Sequence, residues 1–135
     1  MPVDLRRGPA WEPEVRPVSQ PLSQINLAAG AVVDLDTFNI TEDSELVKVN
    51  VASSVACKWE IKTVHDGIVS TEDTLITDPG SGVWDSPLAK GYFTYGNFVK
   101  LPGGPASNFR ITVTNLDSAN AANVYATVYW NEETI

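Results

Sequence analysis

The sequence predicts an all-β protein: an antiparallel β-sandwich, jelly-roll-like and of about eight strands, with an extended N-terminal arm. Three observations lead there. From Gln24 onward apolar and polar residues alternate with period two in several runs, the pattern of strands that cover a core on one face. No segment offers a comparable apolar helical face. Turn-forming clusters punctuate the chain between these runs, while prolines crowd its first 21 residues. With 135 residues, 43% of them hydrophobic and 19% charged, the chain suffices for one domain with its own core.

The arm is read as residues 1–23 and the sandwich as 24–135. Pro2, Pro9, Pro13, Pro17 and Pro21 fall in the arm, spaced every four residues from Pro9 onward. Proline fixes φ and removes an amide donor, so neither a helix nor an interior strand can run through this stretch. An extended course near polyproline II is expected. Leu5, Trp11, Val15, Val18 and Leu22 are spread along it, and a solvated spacer has no need of Trp11. The arm is therefore expected to lie on another surface, its own domain or a neighbouring subunit, with these five residues as candidate partner-binding positions. Its charge differs from the body's. Asp4, Glu12 and Glu14 balance Arg6, Arg7 and Arg16, which leaves the whole net charge of −8 on the rest of the chain.

Strands are expected at 24–28, 31–38, 45–52, 55–64, 68–76, 92–100, 108–114 and 123–130. Val47, Val49 and Val51 alternate with polar neighbours, as do Val55, Cys57, Trp59 and Ile61, and then Phe109, Ile111 and Val113. Between the fourth and fifth strands, His65-Asp66-Gly67 reads as a tight hairpin with Gly67 at positive φ. Thr77 to Gly91 is too long for a hairpin and should cross between sheets or project as a loop, with Asp78-Pro79-Gly80-Ser81-Gly82 as a turn. In the last strand Val124, Ala126, Val128 and Trp130 form one face. Tyr125 and Tyr129 occupy the other, where the arm or another subunit is expected to cover them, so both join the candidate partner-binding set.

Composition narrows the function. A net charge of −8 repels nucleic-acid phosphates, so no nucleic-acid partner is expected. No apolar run approaches membrane-spanning length and no signal peptide is evident, so no membrane partner and synthesis in a cytoplasm are expected. Cys57 is the single cysteine, which rules out an intrachain disulfide, and with the lone His65 it makes no zinc site. Cys57 reads as inward on its strand and His65 as a turn residue, which leaves no nucleophile–base pair. The Asn39-Ile40-Thr41 sequon is read as a chance match.

Asp34 with Asp36, Glu42 with Asp43, and Glu72 with Asp73 are the carboxylate pairs, and they read as exposed acids rather than a hydrolytic couple. The stretch from Asp78 to Asp85 lacks calcium-loop spacing, and neither Gly80-Ser81-Gly82 nor Gly103-Gly104 opens a helix that cradles phosphate. No catalytic residue, metal or cofactor is assigned. The alternative reading is a carbohydrate-binding or tail-associated module, with Trp84, Tyr92 and Tyr95 as a stacking platform in or beside the long loop.

The segment Phe109-Arg-Ile-Thr-Val-Thr-Asn-Leu-Asp-Ser-Ala-Asn-Ala-Ala-Asn-Val-Tyr-Ala-Thr-Val-Tyr-Trp130 is similar to the closing hairpin of many viral sandwich domains. Together with the small acidic body, the apolar proline-rich arm and the lack of a catalytic set, it resembles the capsid decoration (cement) proteins of tailed bacteriophages. That resemblance implies a non-enzymatic virion protein on the capsid surface. It further implies binding to the major capsid protein in the assembled coat lattice, as a homo-oligomer, a trimer at a local three-fold axis.

Overall fold

The computed structural model describes residues 15–86 and 99–133. They form nine strands: β1 (Val15–Leu27), β2 (Val32–Asp36), β3 (Ser44–Ser53), β4 (Cys57–His65), β5 (Ile68–Thr77), β6 (Gly80–Asp85), β7 (Lys100–Leu101), β8 (Ser107–Asn115) and β9 (Ala122–Glu133). Two antiparallel sheets pack face to face. Sheet I has the order β1-β9-β3-β6, with β7 beside β6 on the second edge of β3, and sheet II has the order β2-β8-β4-β5. Most connections cross between the sheets; the exceptions are β4 to β5 within sheet II and β6 to β7, both strands of sheet I. This is a jelly roll, as the alternation of the sequence predicts.

The period-two runs explain the core. Val49 and Val51 of β3, Trp59 and Ile61 of β4, Phe109, Ile111 and Val113 of β8, and Val124, Val128 and Trp130 of β9 are all buried between the sheets. Each buried large apolar side chain contributes roughly 1.5–3 kcal/mol of transfer free energy. The indole N–H groups buried with them need acceptors. Trp59 Nε1 donates to Thr77 Oγ1 (2.8 Å), Trp84 Nε1 to Asp73 Oδ2 (2.7 Å) and Trp130 Nε1 to Glu132 Oε1 (3.2 Å).

Two turns behave as their residues require. Asp66 (φ 54°) and Gly67 (φ 82°) form the two-residue connection from β4 to β5, the positive-φ pair that matches the twist of a hairpin. The chain after Thr77 does cross between sheets, and it does so at once: Asp78-Pro79 is the corner, and Gly80 already begins β6. The expected turn at Gly80-Ser81-Gly82 is therefore a strand. Gly82 suits it because a Cβ there would lie 2.9 Å from the Thr77 methyl group. The strand expected over 92–100 lies mainly outside the described residues, and Lys100–Leu101 is what is seen of it.

The N-terminal boundary also moves. The division expected between residues 23 and 24 falls inside β1, which starts at Val15 and pairs with β9 from Val15↔Glu133 to Gln24↔Val124 without a break. β1 is an edge strand, so Pro17 and Pro21 are admitted: four residues apart, they share one phase of the ladder, and their missing N–H groups face away from β9. Outward, the same prolines remove two donors from the free edge and blunt it against further pairing. Val18 and Leu22 turn inward and pack against the core, while Val15 is 56% exposed.

A buried asparagine ties the corners together. Asn115 is 1% exposed, and its Nδ2 donates to the carbonyls of Leu27 (3.0 Å), Ala28 (3.2 Å) and Asn120 (2.9 Å). Its Oδ1 accepts from Asp117 N at 2.8 Å. Asp117 in turn accepts from the amides of Ala119 and Asn120, and these bonds hold its carboxyl below the usual carboxylate range. A carboxyl lowered on folding stabilises above its unfolded value, near about 3.9, and that contribution is lost as pH falls through the lower folded value.

Two outcomes are expected. Asn115→Asp removes the donor and sets a charge against three carbonyls, so urea denaturation should give a loss of about 2–3 kcal/mol. The pair Pro17→Val and Pro21→Val restores two outward donors, so light scattering should rise with concentration while the far-ultraviolet β signal stays unchanged.

Candidate functional site

Function must be sought on the two outer sheet faces, and they differ in chemistry. The outer face of sheet II is charged and internally neutralised, with exposed Val32 and Ile76 in the row of Thr114 and Lys58. Arg110 grips Asp36 with two bonds (Nε to Oδ1, 2.7 Å; NH2 to Oδ2, 3.1 Å) and lies 3.7 Å from Asp34. Thr112 Oγ1 donates to the other Asp34 oxygen at 2.7 Å, and Glu60 lies 3.9 Å from both Lys58 and Lys62. The bond to Asp36 raises the Arg110 guanidinium further above its ordinary value, against some loss from burial. Asp34 and Asp36 share a face as their spacing predicts, and each is held by a cation or a hydroxyl rather than aimed at a substrate.

The outer face of sheet I is different. Its rows read Pro17–Asn131–Glu45–Lys100, Ser19–Tyr129–Lys48–Asp85, Pro21–Thr127–Asn50–Val83 and Ser23–Tyr125–Ala52–Ser81 across the strands. Glu45 and Lys100 pair at 3.7 Å in the first row, and Lys48 and Asp85 are the charges of the second. The Lys48 ammonium sits 4.9 Å over the ring of Tyr129, and Asn50 Nδ2 reaches the Tyr129 hydroxyl at 3.5 Å. Tyr125 (47%) and Val83 (54%) are exposed. A bulge between Leu46 and Lys48 opens a groove of about 340 Å³ lined by Pro17, Val18, Ser19, Val47, Lys48, Tyr129, Trp130 and Asn131.

Of the candidate partner-binding residues, Val18 and Tyr129 line one groove, with Tyr125 on the outer face that carries Tyr129. Leu22 supports the strand from inside, and Val15 marks its start. The described part of the arm does not lie across the tyrosines: β1 joins β9 edge to edge and widens their sheet. Leu5 and Trp11 lie outside the described residues.

The stacking platform does not form around Trp84. That side chain is 7% exposed because β6 is a strand and its inward position points the indole at the core. Tyr92 and Tyr95 lie outside the described residues. Cys57 and His65 stand at opposite ends of β4. Cys57 is fully buried, and burial pushes its thiol up, partly offset by a hydrogen bond from Ser53. His65 Nδ1 pairs instead with Ser107 Oγ (2.7 Å), itself 1% exposed and closed to solvent. Asn39 of the sequon is occupied, donating to Gly104 O (2.9 Å) and accepting from Ser107 N (3.0 Å). Among the described residues no group of three or more His, Cys, Asp or Glu is placed to hold a metal ion. No helix among them is long and apolar enough to cross a membrane.

What sequence reasoning missed is how β1 is fastened. Glu132 points into the sandwich at 5% exposure and pairs with Arg16 directly across the strands. Gln20 Oε1 accepts from Phe38 N at 2.8 Å, which joins the free edge of sheet I to the segment after β2. The signal was present in the charge balance of Arg16, but its partner is 116 residues away.

The chain matches no protein-family model and no curated protein sequence. Among solved structures it is similar to a chain of the virus-like particle of the giant freshwater prawn Macrobrachium rosenbergii extra small virus. The identity there is 13%, with 96% of this chain and 86% of that one covered at a TM-score of 0.40. It is also similar to a chain of the Gx strain of infectious bursal disease virus, at 13% identity and a TM-score of 0.34, over 91% of this chain and 37% of that one. Both neighbours come from virus particles. Likeness of this degree carries no functional conclusion, and the jelly roll itself is read from strand order.

Arg16→Ala should cost about 1–2 kcal/mol. Removing a partner from a buried pair costs more, but Arg16 is largely solvated, which reduces the loss. Amide exchange should accelerate in β1 and the end of β9 while β4 and β8 keep their protection.

Proposed function

We propose that this protein is a non-enzymatic virion structural protein that decorates or reinforces a phage capsid by binding the assembled coat lattice through the outer face of sheet I. The observation that carries this reading is the contrast between the two outer faces. In a chain of net charge −8, one face spends its charges on internal pairs. The other presents tyrosine, proline, valine and small polar residues around a groove, a composition suited to a protein partner. Exposed Tyr125 and Val83 are the anchors, since aromatic and apolar groups at the centre of an interface supply most of its energy.

The candidate catalytic groups support the non-enzymatic reading, because Cys57 and His65 are apart and the Asp34/Asp36 pair is neutralised. The arm upstream of Val15 adds apolar anchors at Leu5 and Trp11. A homotrimer on a local three-fold axis would present three copies of this face, so modest contacts sum to strong retention.

The test is co-sedimentation with assembled particles that lack the protein. Wild-type protein should pellet with them saturably. Tyr125→Lys with Val83→Lys should weaken binding by about a hundredfold with an unchanged urea midpoint, since each anchor is worth on the order of 1–2 kcal/mol. Equal binding by the double variant would remove this face from the mechanism.

A further inference from the structure

We infer that the groove on sheet I is the seat for Trp11 of a second copy of this chain. The inference rests on the docking-face reading above and names a partner for part of that face. The groove has apolar walls from Pro17, Val18 and Val47, a ring from Tyr129, and one cation, Lys48. Such a surface suits an aromatic side chain flanked by carboxylates, because the ring gains burial and the acid meets the ammonium.

The chain supplies one segment of that kind. Trp11-Glu12-Pro13-Glu14 ends where β1 begins. The three other tryptophans, Trp59, Trp84 and Trp130, are already buried in their own core. Position argues for a second copy rather than the same one. Val15 lies opposite Glu133 at the end of sheet I, and the groove starts two residues further along β1. To enter its own groove, Trp11 would need a reversal of direction within the four residues before Val15, and Pro13, with fixed φ and no N–H, opposes such a turn. Trp11 is four residues from Val15, a reach of at most about 13–14 Å, so the receiving groove must belong to a neighbour whose groove lies close to the Val15 end of β1.

Charge agrees with this. Two copies of net charge −8 repel, yet the charges bordering the groove are Lys48, Asp85 and the mutually paired Glu45 and Lys100, so this is a face that a second acidic chain can approach. Each copy would give one Trp11 and receive one, in a reciprocal two-fold exchange or a closed ring.

The experiment measures acrylamide quenching of Trp11, taken as the difference between wild type and Trp11→Ala, alongside mass by light scattering over a dilution series. Trp11 should be shielded at high concentration and become quenchable on dilution, in step with a fall to the mass of a single chain. Lys48→Glu should weaken association by about tenfold or more, and adding Glu12→Lys and Glu14→Lys to it should restore association. Trp11 quenched freely at every concentration would overturn the inference, as would Trp11 shielded on a strict monomer, or association unchanged by Lys48→Glu. Particle binding is scored separately: wild-type protein that pellets with particles but never self-associates leaves the docking face standing and removes only the second copy. Self-association through Trp11 without particle binding does the reverse.

Discussion

Burial of the Trp130 indole is the constraint from which much of this structure follows. The ring packs edge-on to Phe38 (centroids 5.5 Å apart) and tilted against Phe109 (5.7 Å) at the centre of the sandwich. Its N–H, out of reach of water, takes Glu132 as acceptor, and a carboxylate carried inward needs a cation. Arg16 supplies it from the neighbouring strand. That pairing sets β1 in register, so Val18 falls opposite Trp130 and Leu22 opposite Ala126, and Gln20 reaches the backbone at Phe38. One buried donor thus commits a carboxylate, an arginine and the whole edge strand.

Where β1 sits decides what the outside of the molecule can do. By extending sheet I, its outward prolines and serines widen the face that carries Tyr125 and Tyr129, and Pro17 and Val18 form one wall of the groove. The prolines also deny the sheet a free donor edge. Strand-to-strand growth at this edge is thereby disfavoured. On sheet II the grip of Arg110 on Asp36 and Asp34 leaves little unsatisfied charge to recruit anything. The two faces thus differ in chemistry, a network of paired charges on one and a tyrosine-lined groove on the other.

Much of this was legible in the chain. β3, β4, β8 and β9 declare themselves by alternation, because the pleat imposes period two wherever one face is buried, and the Asp66-Gly67 hairpin follows from φ preferences alone. Two strands did not declare themselves. β6 is written in glycine and serine, which read as a turn; its pairing with β3 from Gly80 to Asp85 makes strand the better state, and Gly82 leaves room for Thr77. β1 is written in proline, and proline bars a strand only where both edges are paired. Trp84 was misplaced for the same reason as β6: an aromatic in an assumed loop looks exposed, and the same residue on the inner face of a strand is core.

By itself, then, the sequence determined the fold class, the inward faces of the central strands, the acidic body and the apolar, proline-spaced N-terminal segment. These are local properties, set by backbone sterics, side-chain alternation and composition. The tertiary structure alone decided that Val15 to Leu27 is an edge strand, that Glu132 and Arg16 meet, that Trp84 is buried, and that the tyrosine face stays open beside a groove. Each of those depends on which distant segment lies alongside, and a strand's own residues do not specify its neighbour.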